Sequence, residues 1–274
     1  MPELPEAENI GRALKRTICG EIITGVEVFT PAMRSSLLPL KDAGLPGHRI
    51  VDIRRRARYL VAELDDGRGL LMHFGMSGVV RVEPSSVPKR KHEHVFIHFA
   101  NGMIFRFECT RRFSMLEVHP GCAGGAFPAV LDKLGVEPLS DDFTGELLFA
   151  AFQKRSGCVK NALMDNAIVV GIGNIYANET LFECGISPER SAANVTFEEC
   201  CQLVTVSRKI LRRAIECGGT TISDFKNVDG SEGKFVQELQ IYGKAGAKCP
   251  RCAAVITSVR LGGRNSFYCP ECQK

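Results

Sequence analysis

The chain has no apolar run approaching the 18 or more residues that a membrane-spanning helix needs. Nor does it open on a charged segment followed by an apolar one, so neither a membrane protein nor a secreted one is expected, and the expected compartment is the cytoplasm. No internal repeat is evident, which excludes solenoids and propellers. Charge of one sign is also scarce: a formal net charge of +4 over 274 residues names no polyanionic partner by itself, so any such partner must be recognised by where the charges cluster. Apolar residues make up 45% of the chain, enough for real cores in two modest domains or one large one. Cysteine, by contrast, is plentiful at twelve. Eight of these (Cys19, Cys109, Cys122, Cys158, Cys184, Cys200, Cys201 and Cys217) follow no spacing and are expected to be reduced thiols.

The first six residues, Met1-Pro2-Glu3-Leu4-Pro5-Glu6, place an imino acid behind a removable methionine and two carboxylates just beyond it. With Met1 cleaved, Pro2 exposes a secondary amine whose ordinary pKa is about 7.7–8.0, against about 10.4 for lysine, so roughly a tenth of it is unprotonated at neutral pH. Such an amine attacks an aldehyde carbon, and because it is secondary the dehydrated adduct is a permanently charged iminium that promotes elimination at the neighbouring carbon. The same stretch also makes a helix start. Pro5 suits a first helical position, Glu6 and Glu8 favour the positive end of the helix dipole, and Leu4, Ala7, Ile10, Gly11, Leu14 and Ile18 form one face that ends before Gly20. The two readings are compatible, since a helix N-terminus is a fixed mount for a reactive amine.

Short strands are expected at 22–28, 49–53, 59–64, 70–74, 94–99 and 103–107, punctuated by Asp65-Asp66-Gly67 and Asn101-Gly102, and they predict an antiparallel sandwich. After a loose connection over Gly121 to Gly125, helices are expected at 128–134 and through 144–217, with a capping box at Thr196-Phe197-Glu198-Glu199. The composition changes from β to α near residue 130. The polar, Gly- and Ser-rich stretch 220–234 predicts an exposed loop.

The C-terminus carries Cys249-Pro-Arg-Cys252, sixteen residues, then Cys269-Pro-Glu-Cys272. Two such knuckles let four thiolates converge on one Zn²⁺, and a closed four-sulfur shell leaves no open position for chemistry, so the zinc is structural. The residues between predict a hairpin turning at Gly262-Gly263, with Arg260 and Arg264 near its tip, able to hold an arginine against a phosphate. Basic clusters recur at Arg54-Arg55-Arg56 with Arg58, Lys89-Arg90-Lys91, Arg111-Arg112, Lys154-Arg155 with Lys160, and Arg208-Lys209 with Arg212-Arg213. Each alone is a solvated face; several on one surface make a track for a nucleic-acid backbone. Gly171-Ile172-Gly173-Asn174 breaks a helical region and suits either an anion at the next helix start or a tight turn between helices.

Taken in order, Met1 to Glu6, His73-Phe74-Gly75-Met76-Ser77-Gly78, Arg111-Arg112-Phe113, Met164-Asp165-Asn166 leading into Gly171 to Tyr176, Gly218-Gly219-Thr220-Thr221, Gln237 to Gly243 and the four cysteines resemble the bacterial formamidopyrimidine-DNA glycosylase family over the whole chain. The resemblance implies an α+β protein with three parts: an N-terminal helix and catalytic antiparallel β-sandwich (1–130), a helix-two-turn-helix DNA-binding domain with a lesion loop at 220–234 (131–235), and a β-hairpin zinc finger (236–274). It implies a monomeric base-excision-repair glycosylase and lyase acting on oxidised purines in double-stranded DNA, in the bacterial nucleoid. By the same resemblance Pro2 is the nucleophile, Glu3 the proton shuttle and Glu6 an ordering group, with Arg264 counted in the catalytic set. Met76, Arg111 and Phe113 fill the gap left by a flipped nucleotide, with Arg111 facing the orphaned cytosine; Asn174 and Arg264 pin the phosphates, with Arg58, His73, His92, Lys160 and Tyr242 assisting. Thioether, guanidinium and aromatic ring are suited to replacing lost stacking and hydrogen bonds.

Five positions depart from the family pattern: Arg58 for a lysine, Cys109-Thr110 for Asp-Pro, Ser114 for glycine, and Ser223 for a basic residue. The sister family, endonuclease VIII, acts on oxidised pyrimidines but usually has glycine in place of Leu4 and lacks the Met/Arg/Phe trio. A non-catalytic zinc-dependent DNA-binding module is the alternative of another class, and the intact Pro2, Glu3 and Glu6 argue against it.

Overall fold

The computed structural model describes residues 2–220 and 233–274; Met1 and 221–232, Ser223 and most of the expected lesion loop among them, lie outside the described residues. The chain divides into two compact units, Met1–Asp132 with Cys217–Lys234, and Lys133–Glu216 with Phe235–Lys274.

In the first unit, α1 (Leu4–Ile18) starts as its sequence dictates. Pro5 lies in the first turn, the Glu6 side chain at the third helical position reaches back to the Glu3 amide, and Leu4, Ala7, Ile10, Gly11, Leu14 and Ile18 are buried. Then come β1 (Ile23–Val28), a short α2 (Pro39–Asp42), β2 (Ile50–Arg56), β3 (Tyr59–Leu64), β4 (Gly69–His73), β5 (Gly78–Pro84), β6 (Glu93–Phe99), β7 (Met103–Cys109) and β8 (Met115–His119). They form two antiparallel four-stranded sheets, ordered β1-β6-β7-β5 and β2-β3-β4-β8. Alternate residues of both, among them Leu60, Ala62 and Leu64 of β3 and Val95, Ile97 and Phe99 of β6, share one buried core with Ile10, Leu14 and Ile18 of α1. Six of these strands are those expected from the sequence, and β5 and β8 are additional. Val80 and Val82 of β5 do alternate with Arg81 and Glu83, but the run is short and follows directly on the 73–78 loop. The helix expected at 128–134 is a single 3₁₀ turn, Ala129–Leu131, closed by Leu131 N to Pro128 O and Asp132 N to Ala129 O.

The second unit contains α3 (Gly145–Phe152), capped by the Thr144 hydroxyl, α4 (Val159–Leu163), α5 (Asn174–Cys184) and α6 (Phe197–Glu216). The capping box before α6 is formed in both directions, Glu199 N to Thr196 Oγ1 (3.2 Å) and Thr196 N to Glu199 Oε2 (2.8 Å). Between α4 and α5 the chain makes two turns rather than one continuous helix. Asp165 Oδ1 accepts from Ala167 N, and Gly171 takes a positive φ of 79°. A hairpin follows near the C-terminus, β9 (Thr257–Leu261) and β10 (Arg264–Tyr268), turning at Gly262-Gly263 as expected. Phe182, Ile241, Cys249, Ile256 and Cys269 form a small core beneath it. Among the described residues no helix is long and apolar enough to cross a membrane.

Candidate active site

Pro2, Glu3 and Glu6 are all buried at the head of α1. The Glu6 carboxylate is the joint of this corner. Its Oε2 accepts from the Glu3 backbone N–H and its Oε1 from the Thr220 N–H, both at 2.8 Å, across 214 residues of sequence in the second case. Each is a charge-assisted bond to a buried donor. Gly219 takes φ +83°, and a side chain there would stand 3.0 Å from Glu6 Oε1, so only glycine lets the chain pass. Thr220 then pairs with Lys234, and Lys234 N donates to Cys217 O at 2.9 Å, closing the stem of the 220–234 stretch. That stretch was expected to be exposed from its first residue; Thr220 is instead 4% exposed, because its N–H is spent on Glu6.

Two loops of the same unit carry the exposed trio. Met76, between β4 and β5, is 48% exposed, and Phe113, between β7 and β8, is 54% exposed, with Arg111 exposed beside it. Large apolar groups left in water on loop tips are candidates for contact with a partner. Gly75 lets the loops meet: it adopts φ +56°, and a side chain there would lie 2.4 Å from the Phe113 carbonyl.

His73 ends β4 half-buried, its ring 4.7 Å from that of Tyr59. Burial, helped by the Arg34 and Arg58 cations, pulls its pKa down to about 4, so it is neutral at physiological pH. The Gly75 N–H donates to Nδ1 at 3.2 Å, which leaves the ring proton on Nε2 as a donor. Arg58 lies half-buried in the β2–β3 turn, and His92 half-buried just ahead of β6 with its carbonyl accepting from Cys109 N.

In the second unit Lys160, taken from the sequence as part of a solvated basic cluster, is fully buried. Its ammonium is held by Asn174 Oδ1 (2.5 Å), Ser266 Oγ (2.6 Å) and the Asn265 carbonyl (3.4 Å). A buried cation so ringed by acceptors is compensated for its lost hydration. Occupying Asn174 Oδ1 also fixes the amide orientation, so Nδ2 donates, one bond going to Asn265 O at 3.1 Å. Arg264 is exposed at the start of β10. Tyr242 is half-buried against Phe267 and is placed by Glu179, whose buried carboxylate accepts from the N–H groups of Gln240, Ile241 and Tyr242 at 2.8–3.0 Å. Glu179 was missed from sequence; a glutamate within an otherwise buried helical run was its signal.

Several other basic residues are committed internally rather than free to line a track. Arg54 pairs with Glu63 and Arg55 with Glu8, while Arg208 donates to the carbonyls of Ser140 and Phe143 and Arg213 pairs with Glu238. The structure therefore brings Pro2, Glu3 and Glu6 together in one unit with the 73–78 and 110–114 loops, and gathers Lys160, Asn174, Arg264 and Tyr242 around α5 and the hairpin in the other.

The sulfur atoms of Cys249, Cys252, Cys269 and Cys272 all lie within 4.8 Å of one another, with Cys249–Cys272 at 3.9 Å and Cys252–Cys269 at 3.4 Å. A zinc ion with bonds of about 2.3 Å places tetrahedral sulfurs about 3.8 Å apart, whereas a disulfide requires about 2.05 Å. The four thiols are unbridged and fit the metal. Gln273 braces the last knuckle, accepting from Cys269 N and donating to Ile186 O.

Residues 1–116 match the formamidopyrimidine-DNA glycosylase N-terminal domain, 134–226 the formamidopyrimidine-DNA glycosylase H2TH domain, and 246–274 a zinc finger found in FPG and IleRS. The formamidopyrimidine-DNA glycosylase of Stenotrophomonas maltophilia (strain K279a) is 45% identical over 274 residues, with both chains covered in full. The Lactococcus lactis Fpg in complex with DNA containing an abasic site is 32% identical with a TM-score of 0.89 over 99% of each chain. MutM in complex with DNA containing carbocyclic 8-oxo-G is 34% identical with a TM-score of 0.90 over the whole of both.

Proposed function

The chain belongs to the formamidopyrimidine-DNA glycosylase family, and on that premise we propose that it is a base-excision-repair glycosylase and AP lyase that removes oxidised purines through its N-terminal proline. The observation that carries this reading is the buried corner at the head of α1, where one carboxylate ties the peptide next to Pro2 to the stem of the 220–234 stretch. It acts as a monomer on double-stranded DNA bearing 8-oxoguanine, formamidopyrimidines or abasic sites, in the cytoplasm at the nucleoid. We assign 1–130 to catalysis, 131–235 to DNA binding and 236–274 to the zinc finger.

With Met1 removed, the Pro2 nitrogen bonds to sugar C1′ as the glycosidic bond breaks and the base leaves with a proton. Glu3 delivers the proton that lets the sugar ring oxygen part from C1′, giving the open-chain iminium. That cation acidifies C2′; loss of its proton expels the 3′ phosphate, and a second elimination through the conjugated system expels the 5′ phosphate. Glu6 takes no proton in this scheme; it holds the corner. Met76, Arg111 and Phe113 occupy the gap left by the flipped nucleotide. Asn174 Nδ2, Arg264, Arg58, His92, Tyr242 and the His73 Nε2–H serve phosphates, and the buried Lys160 serves through Asn174. Cys249, Cys252, Cys269 and Cys272 hold one zinc, which supplies rigidity to the hairpin and no chemistry to the substrate.

Incubation with a duplex carrying 8-oxoguanine opposite cytosine, under borohydride, is expected to trap a covalent adduct at Pro2. Intact mass should show Met1 removed. Tight duplex binding by the processed protein without any adduct would make it a binding module, and a clear preference for thymine glycol would place it with the oxidised-pyrimidine enzymes.

A further inference from the structure

The two loops that bear Met76 and Arg111–Phe113 are joined beneath their tips by three small buried side chains. Ser77 is 4% exposed, and Cys109 and Ser114 are fully buried. Ser114 Oγ donates to the Phe74 carbonyl at 2.7 Å. The same hydroxyl also lies 3.0 Å from Cys109 Sγ, which accepts from it. Ser77 Oγ accepts from the Arg111 N–H at 3.1 Å and sits 3.8 Å from Cys109 Sγ, within hydrogen-bond reach of the thiol. A continuous set of contacts results, linking the Arg111 amide through Ser77, Cys109 and Ser114 to the Phe74 carbonyl. Its middle member cannot drift, because Cys109 N donates to His92 O at 3.0 Å and Cys109 O accepts from His94 Nε2 at 2.9 Å.

We propose that Ser77, Cys109 and Ser114 form a positioning brace that fixes the spacing between Met76 and the Arg111–Phe113 loop, and so sets how the exposed trio enters the duplex. Neither Cys109 nor Ser114 touches solvent, so neither meets the substrate; they act through the loops they join. The two positions are also where the chain departs from the pattern of its family. The brace supplies, by hydrogen bonding between side chains, a rigidity that proline at 110 would supply through the backbone. The proposal rests on the reading of Met76, Arg111 and Phe113 as the groups that fill the gap.

The test compares two substrates. A duplex with 8-oxoguanine opposite cytosine and a neighbouring 2-aminopurine requires insertion of the trio, which brightens the reporter; a single-stranded oligonucleotide with an abasic site has no stack to enter. Ser114→Ala and Cys109→Ala are expected to lower kcat/KM on the duplex about tenfold and to slow the 2-aminopurine rise, with borohydride trapping on the single strand unchanged. Cys109→Ser, which keeps a donor and an acceptor, is expected to restore most of the duplex rate. Equal losses on both substrates would mean general damage to the fold and would overturn the brace. Wild-type duplex kinetics in both alanine variants, with Met76→Ala and Phe113→Ala impaired, would overturn it too. If Met76→Ala and Phe113→Ala leave the reporter unaffected, the gap-filling reading fails, and the brace with it. Should Ser114→Ala fail to fold, as judged by thermal melting, the Cys109→Ala and Cys109→Ser pair decides.

Discussion

Replacing Glu6 by glutamine keeps the shape of the side chain and removes one acceptor. In the native corner each carboxylate oxygen receives a buried backbone N–H at 2.8 Å, from Glu3 and from Thr220. A glutamine offers one oxygen and one NH₂, so whichever amide faces the nitrogen meets another donor. A hydrogen bond to a charged acceptor contributes about 1.5–3 kcal/mol, and a buried donor left unmet costs about 1–3 kcal/mol, so the expected local loss is about 2–4 kcal/mol. Each 1.4 kcal/mol of this that reaches the transition state is about tenfold in rate. Because the Glu3 N–H belongs to the peptide next to the nucleophile, we expect Glu6→Gln to slow borohydride trapping on an abasic duplex about tenfold to a hundredfold. The measurement is single-turnover trapping with enzyme in excess, alongside fluorescence anisotropy on an uncleavable duplex. Binding should change by less than about threefold, since Glu6 holds the corner and touches no phosphate. Trapping at the wild-type rate would refute the argument that Glu6 positions the terminus, and a parallel loss of binding would assign it a broader structural role.

His73 makes stability sensitive to acid. Its folded pKa of about 4 lies below the usual 6.5, so the unfolded chain takes up the proton first; stability is full above pH 6.5 and falls as the pH drops toward 4. Between pH 7.5 and 5 the wild type should lose about 1–2 kcal/mol more than His73→Gln in urea unfolding, after allowing for screening of a partly exposed ring. Cys249→Ser should abolish the one equivalent of zinc seen by elemental analysis and weaken duplex binding, while trapping at saturating DNA persists. Lys160→Met frees the Asn174 amide to turn and should weaken duplex binding about tenfold by anisotropy, with little change in the trapping rate at saturation.

Much of the architecture was legible because it is written at short range. The apolar face of α1 recurs at helical spacing, six strands alternate or run apolar between turn residues, and the capping box before α6 lies within four residues. The zinc knuckles are likewise local pairs of cysteines, and the hairpin turn is two glycines. The failures are of one kind. The alternation in β5 spans only Val80 to Glu83 and β8 has five residues, so pairing with β7 and β4 settles both strands. Residues 128–134 have helical composition but form only a 3₁₀ turn over Ala129–Leu131.

The sequence by itself determined the residue types available for the reaction: a terminal imino acid with two carboxylates behind it, four cysteines at metal spacing, and a thioether, a guanidinium and a ring on candidate loops. Tertiary structure alone decided how they are held. Nothing in the spacing of Glu6 and Thr220 announces that one carboxylate serves both ends of the first unit, and a lysine in a basic cluster gives no sign that it will be sealed beneath Asn174 and Ser266. The same is true of the thiol and two hydroxyls that tie Met76 to Arg111. The physical reason is that helices and strands follow from neighbours a few residues apart, whereas a buried polar group must find partners wherever the folded chain brings them.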